Sequence, residues 1–237
     1  MDEWFATLDD SMWLRPDEQG RDEAAFVKRV LRLRKGQSVL DAPCGAGRVA
    51  CHLAKMGCRV TGVDLKGAFV GRAQERFHKE GLAGRFAVMD LRHLDFTGEF
   101  DGVVNWGGSF GYFTDAENVD VLGRYAKALR PGGRIVIDQP NRERVLRNFV
   151  AEMHPSERMT HRTRWDEKAQ RVITERILDG KNDPRNASSM RLYTPGQIGR
   201  LFERVSLDVE GLRGSLFGDT YRRSSRRMIV VGRKRRD

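Results

Sequence analysis

Two carboxylates at the ends of short apolar runs, with a glycine hook between them, are the groups in this 237-residue sequence best spaced to hold a charged ligand. The first run is Val39-Leu40-Asp41, followed by Ala42-Pro43-Cys44-Gly45-Ala46-Gly47-Arg48. The second is Arg59-Val60-Thr61-Gly62-Val63-Asp64-Leu65. The pattern predicts a buried strand ending at Asp41, a sharp turn, and then a helix with Val49, Leu53 and Met56 on one face. Gly45 and Gly47, with Ala46 between them, let the backbone approach a ligand and expose helix N-terminal N–H groups. Asp64, with Leu65 beside it, stands at the tip of the next strand, where an acid accepts both hydroxyls of a ribose. The pocket this describes suits an adenosine-containing cofactor.

Gly45-Ala46-Gly47-Arg48-Val49-Ala50 also satisfies the G-x-G-x-x-G/A dinucleotide pattern, which is weak evidence alone. Asp41 argues against a dinucleotide, because a carboxylate there repels a pyrophosphate at the adjacent helix N-terminus. The same acid suits a cofactor bearing an ammonium and a sulfonium. With Pro43-Cys44 ahead of the glycines, the segment resembles motif I of the class I S-adenosylmethionine-dependent methyltransferases. Three more segments carry the resemblance in order: Phe86-Ala87-Val88-Met89-Asp90-Leu91, Phe100-Asp101-Gly102-Val103-Val104-Asn105, and Leu129-Arg130-Pro131-Gly132-Gly133 running into Arg134–Asp138. It covers residues 20–140 strongly and the C-terminal third more loosely. It implies S-adenosyl-L-methionine as cofactor and an α/β fold: a doubly wound, mostly parallel seven-stranded, Rossmann-like sheet. It also implies that Asp90 receives the adenine amino group, that the Leu91 N–H meets a ring nitrogen, and that Asn105 holds the motif IV position.

After Asn105 the chain reads Trp106-Gly107-Gly108-Ser109-Phe110-Gly111-Tyr112-Phe113. This is not the Asn/Asp-Pro-Pro-Tyr/Phe motif of enzymes that methylate exocyclic amines, and it holds no cysteine nucleophile. It resembles the corresponding stretch of small-molecule N- and O-methyltransferases. Aromatic groups here shield and attract a sulfonium. Phe110 is thereby expected on the acceptor side. Tyr112 is expected to hydrogen-bond the acceptor, with core packing as the alternative for each ring. By family analogy His154 is the best-placed histidine for a general base. Arg164, Trp165 and Tyr193 are candidates to touch an acceptor carboxylate or ring.

These groups need elements to hold them. The resemblance implies that residues 1–35 form an N-terminal helical lid, with Trp4 and Trp13 either over the pocket or stapling the helix to the sheet, and a helix from Arg21 to Leu33 is expected to bury Ala25, Phe26, Val30 and Leu33. Residues 36–140 form the cofactor-binding core. Asn141 is a natural N-cap for a helix to Met153. Residues 155–193 hold two runs of strict alternation, Met159–Asp166 and Arg171–Leu178, and a third short one, Ser189–Tyr193. They predict an inserted antiparallel β cap after strand 5, with a loop before the third run. Its apolar face is to be covered by the mouth of the parallel sheet or by a partner subunit, so a homodimer stands as an alternative. Residues 194–237 supply a helix capped by Thr194-Pro195 and an antiparallel final strand pair.

Composition bounds the partners. No apolar run reaches the roughly 18–20 residues of a membrane span, and the acidic start, Met1-Asp2-Glu3-Trp4, is unlike a signal peptide, so the expectation is a cytoplasmic protein with no membrane partner. Cys44, Cys51 and Cys58 lack the paired spacing of a metal site and read as reduced thiols. The net charge of +10 and the tail Gly232-Arg233-Lys234-Arg235-Arg236 are compatible with nucleic acid. The scatter of basic residues over the whole chain favours a solvated surface. The resulting expectation is methyl transfer from S-adenosylmethionine to N or O of a small molecule. The alternatives are an RNA or protein acceptor on the basic surface, and a cofactor-binding module without turnover.

Overall fold

The computed structural model describes residues 17–236, and the expected lid residues Trp4 and Trp13 lie outside that range. Short strands alternate with helices through residues 17–140. They are α1 (Asp17–Val30), β1 (Ser38–Asp41), α2 (Arg48–Lys55), β2 (Arg59–Asp64), α3 (Gly67–Lys79), β3 (Gly84–Val88), β4 (Phe100–Asn105), α4 (Asp115–Ala128) and β5 (Leu129–Pro140). Such alternation builds a parallel sheet through right-handed crossovers. The sheet gains β10 (Leu207–Arg213) and β11 (Arg227–Lys234), giving seven strands in the order β10-β11-β5-β4-β1-β2-β3. β11 runs antiparallel to both neighbours, and the other pairings within β1–β5 are parallel.

Successive strand residues point to opposite faces. Leu40, Val103, Ile135 and Ile137 pack with Tyr125 of α4 and with Phe202 of α6 (Pro195–Arg204). Val39, Val104 and Val136 pack with Phe26 and Val27 of α1, Leu53 of α2 and Phe77 of α3. Each fully buried side chain of this kind contributes about 1.5–3 kcal/mol. Both faces are covered, which explains why the strands read as near-continuous apolar runs. The strand order reverses between β1 and β4, and the carboxyl ends there diverge to leave a crevice. Among the described residues no helix is long and apolar enough to cross a membrane.

Three local expectations are corrected. α1 buries Ala24, Phe26 and Val27, with Ala25 exposed, because the buried stripe also takes in Gly20 and Glu23, the latter paired with Arg48 of α2, which turns Ala25 to solvent. The helix expected to reach Met153 is α5, Arg142–Arg147, capped by Asn141 through a 3.1 Å bond from the Glu143 N–H. It buries none of its residues, so nothing holds a longer helix together. The chain instead enters β6 (Glu152–Ser156), an extra strand beside β7 (Met159–Asp166), β8 (Arg171–Leu178) and β9 (Lys181–Arg191). These four form a second, antiparallel sheet in sequence order. β9 is a long strand where a loop and a short strand were expected, because it pairs along most of β8 with a bulge between Glu175 and Ile177. α6 follows the expected pattern, with Thr194 and Gln197 closing a capping box.

Candidate active site

The crevice at the strand ends is a cleft with about 1380 Å³ of empty space, counting its open mouth. Asp41, Gly45, Ala46, Asp64, Leu65, Asp90 and Leu91 line it, as does Tyr112. Gly47 is buried beneath the turn and supports it from behind.

The turn is built on left-handed glycines. Gly45 has φ +52° and faces open space, where a Cβ would meet nothing within 4 Å. Gly47 has φ +73°, and a Cβ there would come within 2.8 Å of the Ala73 Cβ on α3. One glycine leaves room on the cleft side, and the other permits α2 and α3 to close up. The Asp64 carboxylate is buried at 8% exposure and accepts the Gly45 and Lys66 backbone N–H groups, each at 2.9 Å. A carboxylate oxygen has about two acceptor sites, so each oxygen keeps capacity for one ribose hydroxyl.

Asp41 is fully enclosed, and burial first, then the neighbouring Asp64, pushes its carboxyl up to about 8. The Arg48 guanidinium pulls the other way, and it is held by the buried Glu23 of α1 at 2.5 Å. A pocket whose floor holds two neighbouring acids, only partly offset by Arg48, favours a cationic guest. The open cradle at Gly45, the two-oxygen acceptor at Asp64 and this acid floor fit a nucleoside bearing an ammonium and a sulfonium. Asp90 caps the short 3-10 turn Leu91–His93. Burial raises its carboxyl, and the Arg92 hydrogen bonds, including a 2.6 Å contact, outweigh that and hold it below the usual range.

The segment after β4 forms the far wall. Gly107 and Gly108 have φ near +81° and +80°. Their N–H groups donate to the Asp138 side chain at 3.2 Å and to its carbonyl at 3.1 Å. Trp106, Ser109, Tyr112 and Phe113 line the cleft from here. The cap sheet is fastened to this segment. The Arg191 N–H donates to the Gly111 carbonyl at 2.8 Å, and the Arg171 guanidinium donates to the Phe113 carbonyl and pairs with Asp115 at 3.3 Å.

Several residues expected at the site stand elsewhere. Asn105 is fully buried, and its amide donates to the Ala42 carbonyl at 3.0 Å and the Tyr125 hydroxyl at 2.9 Å. It braces the turn from within. Phe110 and Tyr193, at 2% and 4% exposure, stack at 5.7 Å as core, because the cap's last strand folds Tyr193 inward behind the loop. His154 is exposed on the edge strand β6, bonded to Thr160 at 3.1 Å. The early end of α5 removes the placement that made it a base. Arg164 is exposed on the outer face of the cap. Trp165 is half-buried on the other face, its indole N–H donating to Glu167 and its ring covered by Arg142. Sequence reading passed over Arg48, Lys66, Phe69, Trp106 and Ser109, all lining the cleft. For Arg48, Lys66, Trp106 and Ser109 the signal was position, just after a strand-end acid or asparagine or beside a glycine, and Phe69 of α3 carried none.

A family model described as a methyltransferase domain matches residues 39–133. Glycine/sarcosine N-methyltransferase of Halorhodospira halochloris is 28% identical over 149 residues, covering 62% of this chain and 53% of that protein. The CcbJ methyltransferase from Streptomyces caelestis superposes with a TM-score of 0.76 at 19% identity, over 99% of this chain and 95% of that one. The sugar N-methyltransferase KedS8 from Streptoalloteichus sp ATCC 53650 does so with a TM-score of 0.68 at 22% identity, over 91% and 88%. The chain spans about half the length of the first curated relatives it matches, and the structural likenesses speak to the fold. The motif order, the sheet and the domain match converge: residues 39–133 carry a methyltransferase domain on a seven-stranded sheet of the class I methyltransferase type, and S-adenosylmethionine is the cofactor that this domain and the cleft fit.

Proposed function

We propose that the protein transfers a methyl group to a nitrogen or oxygen of a small-molecule acceptor held between the cofactor cleft and the antiparallel cap. The observation that supports this reading is the attachment of the antiparallel sheet to the Gly111–Phe113 segment, whose Tyr112 and Phe113 line the cleft. S-adenosylmethionine, when bound, supplies an electrophilic methyl on a sulfonium. The chain's own residues hold and align. Asp64 and the glycine turn fix the nucleoside, Asp41 provides negative charge beside the cationic part, and the wall of Trp106, Tyr112 and Phe113 excludes water. In-line displacement at carbon needs such alignment above all. Burial pushes the Tyr112 phenol up to about 12, against the pull of Arg176, so near neutral pH its hydroxyl donates to the acceptor and does not act as a base.

The rival, an RNA or protein acceptor, needs a basic track leading to the cleft. The arginines at the mouth are engaged locally: Arg92 by Asp90 and Glu117, and Arg171 and Arg191 by Asp115. A labelled-methyl assay on a metabolite extract beside total RNA and protein tests the reading. Label in the small-molecule fraction is expected. Label at one defined RNA position, with none in the small molecules, overturns it.

A further inference from the structure

Glu23 of α1 is a carboxylate buried at 2% exposure that lies outside the lining of the cleft. Its ion-pair partner among the described residues is Arg48, the first residue of α2, whose guanidinium stands 2.5 Å away. Close helix packing makes the contact. Gly20 lies on the same face of α1, one turn before Glu23. A Cβ there would come within 2.7 Å of the Arg48 Cγ. Glycine thus lets α1 settle onto α2 and seals the pair between them. Arg48 also lines the cleft beside Asp41, so the arginine faces both the helix and the cofactor site.

A buried ion pair adds little stability, since the cost of desolvation offsets the attraction and apolar residues fill such a space as well. What this pair adds is a fixed balance of charge at the wall of the cleft. Burial is the largest influence on Asp41, and charges from three elements act beside it. Asp64 of β2 and Glu23 of α1 favour its protonated form, whereas Arg48 and the Ala50 N–H of α2 favour its ionised form. Cys44 and Tyr125, the other titratable groups facing it, are kept neutral near pH 7 by burial. Without Glu23, Arg48 would bring an unbalanced positive charge to a site that takes a cation. S-adenosylmethionine and its product, S-adenosylhomocysteine, share the nucleoside, the ammonium and the carboxylate, and differ by the sulfonium charge. A positive wall therefore penalises the first and spares the second.

We propose that Glu23 is a positioning residue for the cofactor: by holding and neutralising Arg48 at the wall of the cleft, it raises affinity for the sulfonium of S-adenosylmethionine relative to the neutral thioether left after transfer. Loss of the methyl then removes the charge that the site is balanced to receive, which favours product release whatever the acceptor.

The test is calorimetry of both ligands on the intact chain at about pH 9, above the Asp41 transition, so that the ratio of affinities reads charge alone. Contacts common to the two ligands cancel in that ratio. Glu23→Gln shifts it against S-adenosylmethionine by about fivefold or more. Glu23→Asp, which keeps the charge, recovers part of the shift. In Glu23→Gln the pH midpoint of S-adenosylmethionine affinity also falls, because a carboxylate that raises Asp41 is gone and Arg48 is unopposed. Arg48→Gln is the mirror variant and decides the matter where Glu23→Gln fails to fold: it removes the cation and shifts the ratio toward S-adenosylmethionine. A role confined to packing lowers Tm, or weakens both ligands alike, and leaves the ratio and the pH midpoint in place. That result in Glu23→Gln, or a ratio unmoved or lowered in Arg48→Gln, overturns the inference. Binding of neither ligand to the unaltered chain overturns the cofactor assignment itself, so the two failures are told apart.

Discussion

The Asp64 carboxylate accepts the Gly45 backbone N–H at 2.9 Å, which laces the tip of β2 to the glycine turn that follows β1. One acid therefore holds the turn in shape and offers its remaining lone pairs to the cleft. Asp64→Ala removes both services and is expected to weaken S-adenosylmethionine binding by about 1.5–3 kcal/mol. Asp64→Asn, which keeps one acceptor oxygen, loses less. Calorimetry showing full affinity in Asp64→Ala would remove the residue from the cofactor grip.

The two glycines of the turn separate cofactor binding from folding. Both have positive φ, but only at Gly47 would a Cβ strike protein, 2.8 Å from Ala73. Gly47→Val is expected to unfold the chain or lower its Tm by several degrees, a cost of about 2–4 kcal/mol from overpacking and strain. Gly45→Val points its side chain into open space, so a folded protein that has lost S-adenosylmethionine affinity is expected. Thermal melting beside calorimetry distinguishes them, and normal affinity in Gly45→Val would contradict the cradle.

What the sequence made legible follows from how local each signal is. Val39–Asp41, Arg59–Asp64 and Phe100–Asn105 are buried on both faces and end at turns, so their strands and order are written in short windows. The Thr194-Pro195 helix start is similarly local. The acceptor side depends on how two sheets meet. Nothing near His154 reports that α5 stops at Arg147 for want of a buried face. Nothing near Phe110 reports that Tyr193, more than eighty residues on, packs over it.

Asp41 makes the protein's stability and its cofactor affinity depend on pH in opposite directions. Its carboxyl is raised from 3.8 to about 8, by burial and then by Asp64. The folded chain keeps this proton where the unfolded chain has released it. The contribution to stability is full below about pH 4 and is lost as pH rises through about 8. The Tm of the cofactor-free chain is expected to fall between those limits, with a flatter profile in Asp41→Asn. A sulfonium and ammonium beside Asp41 favour its ionised form, so S-adenosylmethionine binding at pH 7 releases a proton and tightens as pH rises toward 8. Calorimetry in two buffers of different ionisation enthalpy measures the release. Its absence would show that Asp41 does not sense the cofactor's charge.

Arg171 couples the cap to the cleft wall. Its guanidinium donates to the Phe113 carbonyl and to the Ser189 hydroxyl at 3.3 Å, and pairs with Asp115 at 3.3 Å. Those contacts hold β8 and β9 against the segment that carries Tyr112. Arg171→Met keeps the stem but abandons a carbonyl acceptor, at a stability cost of about 1–3 kcal/mol. The cofactor grip is built from β1, β2 and their turns, so S-adenosylmethionine affinity is expected to stay unchanged. Amide hydrogen exchange in β8 and β9 speeds up, because the fastening that closes the cap is gone. Turnover with the acceptor falls by about tenfold or more as alignment is lost, and Arg171→Lys recovers part of it. Faster exchange in the cap with turnover unchanged would mean that the antiparallel sheet does not form the acceptor site.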